Sequence, residues 1–380
     1  MAVSKKVIII GDGAAGIMAA NKLRFHSTDK ELEITVIGNN PRHFYKPDGV
    51  LIPFGYKNYR KSVKPVNFLL NYGVNYLKDE VLRINADENI IFLKSGKSLI
   101  GDYIIIATGD RYSPEEIPGY EGEARHFFDL QRAMELREYI KTFQGGQVFI
   151  GSAGEVIQYP ESLYEFAFVL ESYLAENGLK DKTTIVLATP SKELSSDPAV
   201  HRDLSGMLES RGIQFHPGVV IKSVDPKNKE VAGSDGAMYK YSLLILVPPH
   251  RGQKFAIDSG IADEKGYVVV DPKDLSVKGN RTIFAIGDAN NLGLGKSAVA
   301  AHGQASFVAS LIISKTVGGL KEEKMTAKVP EFALTGNDTA FSFYDAPGRA
   351  SRGINVNKGD FMLRWTSADT YFSTILRGMI

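Results

Sequence analysis

Val7-Ile8-Ile9-Ile10-Gly11-Asp12-Gly13-Ala14-Ala15-Gly16-Ile17-Met18-Ala19-Ala20 is the stretch whose reading decides the fold. Its four branched apolar residues read as a buried parallel strand, and the small residues after Gly16 read as a tightly packed helix. The glycines between them are spaced G-x-G-x-x-G. Gly11 permits the sharp turn, Gly13 lets a pyrophosphate approach the backbone, and Gly16 lets helix and strand pack closely. The unpaired amides of the first helical turn, at Ala14 and Ala15, then face the phosphates together with the positive end of the helix dipole. A glycine motif alone is a weak signal; a strand directly before it and a helix directly after it point to a dinucleotide.

The chain has 380 residues, too many for one ordinary core, so two domains plus an extension are expected. Hydrophobic content of 43% and a net charge of +1 exclude a disordered chain and give no support to nucleic-acid binding. Cysteine is absent, which removes disulfides, thiolate metal sites and thiol redox catalysis together; no metal site is expected. No run of 18 apolar residues exists to span a bilayer. Met1 to Lys6 is short and leads straight into a strand, so the expectation is a cytoplasmic or peripheral-membrane protein without a recognisable signal peptide.

Further along, Glu33-Ile34-Thr35-Val36-Ile37 reads as the second strand of the first βαβ unit. An acidic residue commonly follows such a strand to hold a ribose hydroxyl. Gly38-Asn39-Asn40 stands there instead, with asparagine amides as the available hydrogen-bonding groups. His43-Phe44-Tyr45-Lys46-Pro47 has neither helical nor strand period and reads equally as a surface loop. Tyr76 to Ile84 and Asn89 to Leu93 look like a pair of short strands, and a chain passing near an adenine ring contacts it there, at Val81. Tyr103 to Ile106 is another buried strand, ending in Ala107-Thr108-Gly109, whose small size admits a flat ligand. Far downstream, Arg281 to Ile286 is a strand ending in Gly287-Asp288, with a carboxylate placed to accept from a sugar-alcohol chain.

G-x-G-x-x-G, then A-T-G, then A-x-G-D, in this order and at this wide spacing, resemble the flavoprotein superfamily with two dinucleotide-binding domains. The resemblance implies an α/β fold of two Rossmann-like domains with a short C-terminal extension, FAD as cofactor, and Asp288 on its ribityl chain. The FAD domain is then discontinuous, over residues 1–111 and 251–325, and a second domain fills 112–250. Gln147-Val148-Phe149-Ile150-Gly151-Ser152-Ala153-Gly154-Glu155-Val156 repeats the first turn only in part, with Ala153 and Val156 where NADH-binding relatives need glycine. The strand Thr184 to Ala188 also ends without a carboxylate for a ribose. The second domain keeps its layout while its nucleotide site is degenerate.

Tyr159-Pro160-Glu161-Ser162-Leu163-Tyr164-Glu165 resembles the Cys-x-x-Pro-x-Tyr-Glu segment of the sulfide:quinone oxidoreductase family. Gly295-Lys296-Ser297-Ala298, with His302, Gly303, Gln304 and Ala305 after it, is similar to that family's Lys-Thr-Gly turn and following helix. The likeness covers residues 1 to about 345. It implies electron transfer through FAD to a quinone at a membrane surface, and oxidation of sulfide through cysteines flanking the flavin, one of which attacks the flavin ring. Here Tyr159 occupies one cysteine position, and Thr339-Ala340-Phe341-Ser342-Phe343-Tyr344 covers the other region without sulfur. A phenol with an unperturbed pKa near 10 does not replace a thiolate. Sulfide as donor is therefore in doubt.

Further expectations follow from the same likeness. A helix over Ala298 to Ser314 points its N-terminus at the flavin and stabilises negative charge there, with Lys296 either adding a full charge or standing as a solvated turn lysine. His302 lies where relatives carry a Glu near quinone, and an imidazole titrating near neutrality delivers a proton, or is simply packed at an interface. Tyr159 and Glu165 complete the candidate catalytic set, Glu165 as a proton relay or equally as a helix carboxylate at a domain seam. Phe341 and Phe343 are the candidate quinone contacts. Lys321-Glu322-Glu323-Lys324, after Gly319, reads as an exposed connection, and residues 326–380 as a quinone, membrane-interface or dimer region. Phe361 to Trp365 and Tyr371 to Arg377 mix aromatics, aliphatics and arginine, as an interfacial segment, a homo-oligomer contact or a helix packed on its own protein does. Two alternatives stand beside the quinone reading: a type II NADH:quinone oxidoreductase, and a flavin-binding scaffold or sensor without turnover.

Overall fold

The computed structural model describes residues 4–155, 158–293, 296–318, 325, 331–336, 338–343 and 353–379. Val156, Gly295, Gly319, the connection at 321–324 and Tyr344 lie outside the described residues. The strand Lys5–Ile10 sits inside a six-stranded sheet. Its order is Ser276–Val277, Asn280–Ala285, Tyr103–Ile106, Lys5–Ile10, Leu32–Gly38 and Val74–Lys78. All pairings are parallel except the Ser276–Val277 edge. Ile9 lies opposite Val36 on one side and Ile105 on the other, so β-branched residues stack across the sheet. The run is continuously apolar because both faces are covered.

The helix Ala14–Phe25 packs along the helix Ala298–Thr316, and alanines at 15, 19, 301, 305 and 309 on the two helices are buried there. The sheet thus joins residues from the two ends of the sequence, since Asn280–Ala285 pairs with Tyr103–Ile106. Tyr76 to Ile84 is not one strand. The chain turns at Asp79, whose carboxylate accepts from the Glu80 N–H at 2.8 Å and from Ser95, and a separate ribbon begins at Val81–Asn85. Asp holds such turns because its side chain satisfies the nearby backbone.

A second parallel sheet has the order Gln214–Pro217, Thr183–Thr189, Gly146–Ser152, Leu243–Val247. The plan repeats that of the first lobe, down to a three-stranded antiparallel ribbon at Ile221–Asp225, Glu230–Gly233 and Met238–Lys240. The C-terminal extension ties the lobes together. Its hairpin Glu331–Leu334 and Ala340–Phe343 packs into the second core, whereas Tyr371, Phe372 and Leu376 pack into the first.

Candidate active site

A cavity of about 920 Å³ runs from the glycine turn through the seam between the lobes to the last helix, Lys358–Thr370. It lies at the upper end of the size of small-ligand pockets. Gly11, Gly13, Ala14 and Ala15 form one end, Gly38, Asn39 and Val81 the adjoining wall. Ala107, Thr108 and Gly109 form the floor with Gly287 and Asp288, and Lys296, Ser297 and Ala298 close the next wall. Gly16 stands behind the lining. A Cβ there would come within 1.9 Å of the Gly11 carbonyl oxygen, so its task is helix-strand packing.

These walls fit a dinucleotide. A Cβ on Gly11, at φ +115°, would meet the Ala107 oxygen at 2.4 Å, whereas nothing lies within 4 Å of one on Gly13. The helix behind Gly13 has no side-chain cap and no acidic residue in its first turn. Its free amides and positive dipole end open on the cavity, as a pyrophosphate requires. The second lobe is built otherwise. Its strand ends at Ser152, but its helix starts only at Ser162. The Gly154 amide is already bonded to the Ser152 hydroxyl at 3.1 Å. No helix end directly follows that strand to receive phosphates.

An acid that the sequence reading missed lies inside the glycine motif. Asp12 accepts from Asn40 N and Nδ2, both at 3.0 Å, and from the Tyr76 hydroxyl at 2.9 Å. Gly38 is required beneath it, because a Cβ there would fall 2.2 Å from Asp12 Oδ2. The Asn40 amide is thereby taken, and Asn39 remains on the lining.

Of the candidate catalytic residues, Tyr159, Lys296 and His302 line the cavity and Glu165 does not. Tyr159 has a left-handed backbone, φ +47°. Its hydroxyl donates to the Phe332 carbonyl at 2.7 Å, and its N–H to the Lys296 carbonyl at 2.9 Å. Burial first, then Glu165 and Glu331, push the phenol well above its usual range, so it stays protonated and acts as a tether. Lys296 is no solvated turn lysine. Its ammonium donates to the carbonyls of Asp288 at 2.8 Å and Asn290 at 3.2 Å and lies 3.9 Å from the Tyr267 ring centroid. Burial lowers its pKa while Asp288 pulls the other way.

His302 corrects the expectation of titration near neutrality. Burial, assisted by His43, lowers its pKa to about 4, so the ring is neutral at pH 7. Neither ring nitrogen has a hydrogen-bond partner among the described residues, although the ring is buried and borders the cavity. It lies 5.5 Å from the Tyr371 ring, whose hydroxyl meets His43 Nε2 at 2.8 Å. Glu165 is the seam carboxylate. It is fully buried, 3.3 Å from Arg364 Nε, and accepts from the Leu334 N–H at 3.2 Å. Burial raises its pKa, with Arg364 opposing. Arg364 also lies 3.5 Å from Asp48 and donates to the Pro47 carbonyl at 2.6 Å.

Phe341 and Phe343 do not border the cavity. Phe341 pairs with Ala333 across the hairpin and is fully buried in the second core. Its strand neighbour on the opposite face pairs with Phe332, and Phe332 reaches the lining together with Leu363. A one-residue difference in a strand moves a side chain to the other face, which composition alone does not reveal. The sequence reading also gave no role to Lys46, Asp110, Gln158 and His250, which cluster at the seam. Lys46 Nζ donates to Gln158 Oε1 at 2.9 Å, and Gln158 Nε2 donates to Asp288 Oδ2 at 2.8 Å. Lys46 is held charged. Burial acts against its charge, but Tyr112, Asp110 and Asp288 outweigh it and raise its pKa. Asp288 is pushed up to about 6 by burial and by Asp110, against Lys46, Lys296 and His250.

The fold and the cavity together define a two-lobed α/β oxidoreductase with one intact dinucleotide cradle. The chain belongs to the pyridine nucleotide-disulphide oxidoreductase family, which residues 5–305 match. It is 25% identical to the mitochondrial sulfide:quinone oxidoreductase of Dictyostelium discoideum, over 82% of this chain and 71% of that protein. It is 26% identical to a type II NADH:quinone oxidoreductase of Staphylococcus aureus, over 75% of this chain and 74% of that one. The solved sulfide:quinone oxidoreductase of Aquifex aeolicus superposes with a TM-score of 0.88 at 20% identity, over 99% of this chain and 92% of that one. Among the described residues no group of His, Asp and Glu could hold a metal ion, and no helix is long and apolar enough to cross a membrane.

Proposed function

We propose that this protein is an FAD-dependent oxidoreductase that passes electrons to a quinone. The observation that carries the reading is the one cavity in which all three expected cofactor motifs meet, continued past His302 to an apolar mouth at Leu363. Bound FAD supplies two-electron chemistry and connects a donor on one side with an acceptor on the other. Gly13, Ala14 and Ala15 receive its pyrophosphate, and Asp288 accepts from its ribityl chain. Ser297 caps the helix Ala298–Thr316 through the Ala300 N–H at 3.1 Å, which fixes the dipole end against the cavity. Lys296 holds the Asp288 loop through its carbonyl bonds. Neutral His302 offers an N–H to a quinone carbonyl; no imidazolium is needed for that hydrogen bond.

Met362 and Leu363 are exposed on the last helix, and Leu363 is also part of the cavity mouth. An apolar acceptor arriving from a lipid surface meets that helix first, so peripheral membrane attachment belongs to the same proposal. Liposome flotation of the wild type against a Met362→Lys, Leu363→Lys variant tests it, and equal flotation overturns it. The catalytic reading is tested by the absorption spectrum of the purified protein, followed by anaerobic reduction and reoxidation with a quinone analogue. A flavin spectrum that the analogue restores within seconds supports it. A colourless protein, or reduced flavin indifferent to quinone, overturns it.

A further inference from the structure

Gln158 is buried, and its side-chain amide is matched to charge on both ends. Its Oε1 accepts from Lys46 at 2.9 Å, and its Nε2 donates to Asp288 at 2.8 Å and to Asp110 Oδ1. The amide is oriented by chemistry, since an ammonium only donates and an ionised carboxylate only accepts. The Gln158 backbone N–H donates to His250 Nδ1 at 3.2 Å. That bond occupies the Nδ1 lone pair and assigns the ring proton to Nε2. Asp110 Oδ2 lies 3.4 Å from the same Nδ1, with both side chains fully buried. Asp110 Oδ2 has no hydrogen-bond partner among the described residues, and Asp110 borders the cavity. Two acceptors therefore lie 3.4 Å apart with no proton assigned between them.

We propose that Asp110, held by Gln158 against His250, is a proton-uptake site coupled to reduction in the cavity. The inference rests on the FAD reading above. With FAD bound, a reductant would supply two electrons to it and one proton from solvent would bond to Asp110 Oδ2; transfer of the electrons to the quinone would release that proton. Lys46, Lys296, Asp288, Tyr112 and Tyr267 act on Asp110 electrostatically from the surrounding elements, and His250 lies against it. Burial raises both phenols, so they stay neutral. Two ammoniums then stand against two carboxylates, near balance. Negative charge arriving with the electrons tips that balance and favours a proton on the carboxylate lacking a full set of partners. The pKa of about 6 at Asp288 agrees with crowding of the carboxylates.

The test is the midpoint potential of the holoprotein between pH 6 and 8, by spectroelectrochemistry, for the wild type and Asp110→Asn. The wild type should take up one more proton per electron pair. That is a tenfold change in equilibrium per pH unit, or about 30 mV for a two-electron couple. Infrared difference spectra of the wild type should show a carboxylic-acid C=O band that appears on reduction and shifts in heavy water. Equal slopes in the two proteins overturn the proposal, as does a band that persists in Asp110→Asn. Should that variant fail to hold flavin, absence of the band in the wild type is decisive on its own. A wild type without flavin absorbance defeats the FAD reading instead, a result distinct from either.

Discussion

Tyr159, which the sequence resemblance aligns with a cysteine of sulfide:quinone oxidoreductases, has its hydroxyl spent on the Phe332 carbonyl. Tyr159→Phe should cost about 1–3 kcal/mol, since it strands that carbonyl, with no loss of flavin; thermal melting and the visible spectrum report both. Tyr159→Cys should not create sulfide turnover, because the second thiol is also missing. Asp288→Ala should release flavin on dialysis, and retained flavin would mean that another group holds the ribityl chain. His43 and His302 predict acid sensitivity, both held at a pKa of about 4 by burial against an ordinary 6.5. Between those values the unfolded chain binds more protons, so stability falls as pH drops from 6.5 towards 4. His302→Phe should remove one proton from that slope, about 1.4 kcal/mol per pH unit. Denaturant titrations at pH 5 and 7 measure it; an unchanged slope sinks the assignment.

Elements that write their own geometry into local sequence were legible, and those assembled across the chain were not. The glycine turn, A-T-G and A-x-G-D each carry small residues where backbone meets backbone or ligand, and all three reached the cavity. Lys46, Asp110, Gln158 and His250 carried no such mark, because nothing near any of them in sequence names its partners. Phe341 and Phe343 misled for a related reason: which face of their hairpin meets the cavity depends on how it packs against the last helix. That helix yields its own prediction. Arg364 joins Glu165 of the second lobe to Asp48 of the first. Arg364→Met strands two buried carboxylates and should cost about 3–5 kcal/mol. Adding Glu165→Leu and Asp48→Asn should recover most of the loss, as melting temperatures will show. Equal melting of the single and triple variants would mean that no charge is stranded.

For the whole molecule the sharpest contrast lies between its two nucleotide cradles, one with a helix starting at Ala14 directly after its turn and one whose helix waits until Ser162. Stopped-flow mixing with NADH should therefore bleach the flavin slowly or not at all. Sulfide should do no better, since no thiolate is present to orient it. Saturable bleaching by micromolar sulfide with rapid quinone reduction would overturn that expectation. The separation of the strands that build the first sheet has a consequence for biosynthesis. Tyr103–Ile106 must wait for Asn280–Ala285 to emerge, an interval on the order of ten to thirty seconds at ordinary elongation rates. Throughout it, an apolar edge of the nascent sheet is bare on the ribosome while the intervening lobe folds. An edge left unpaired that long is a template for wrong strand pairing, so the yield of folded chain should rise when translation through residue 285 is faster.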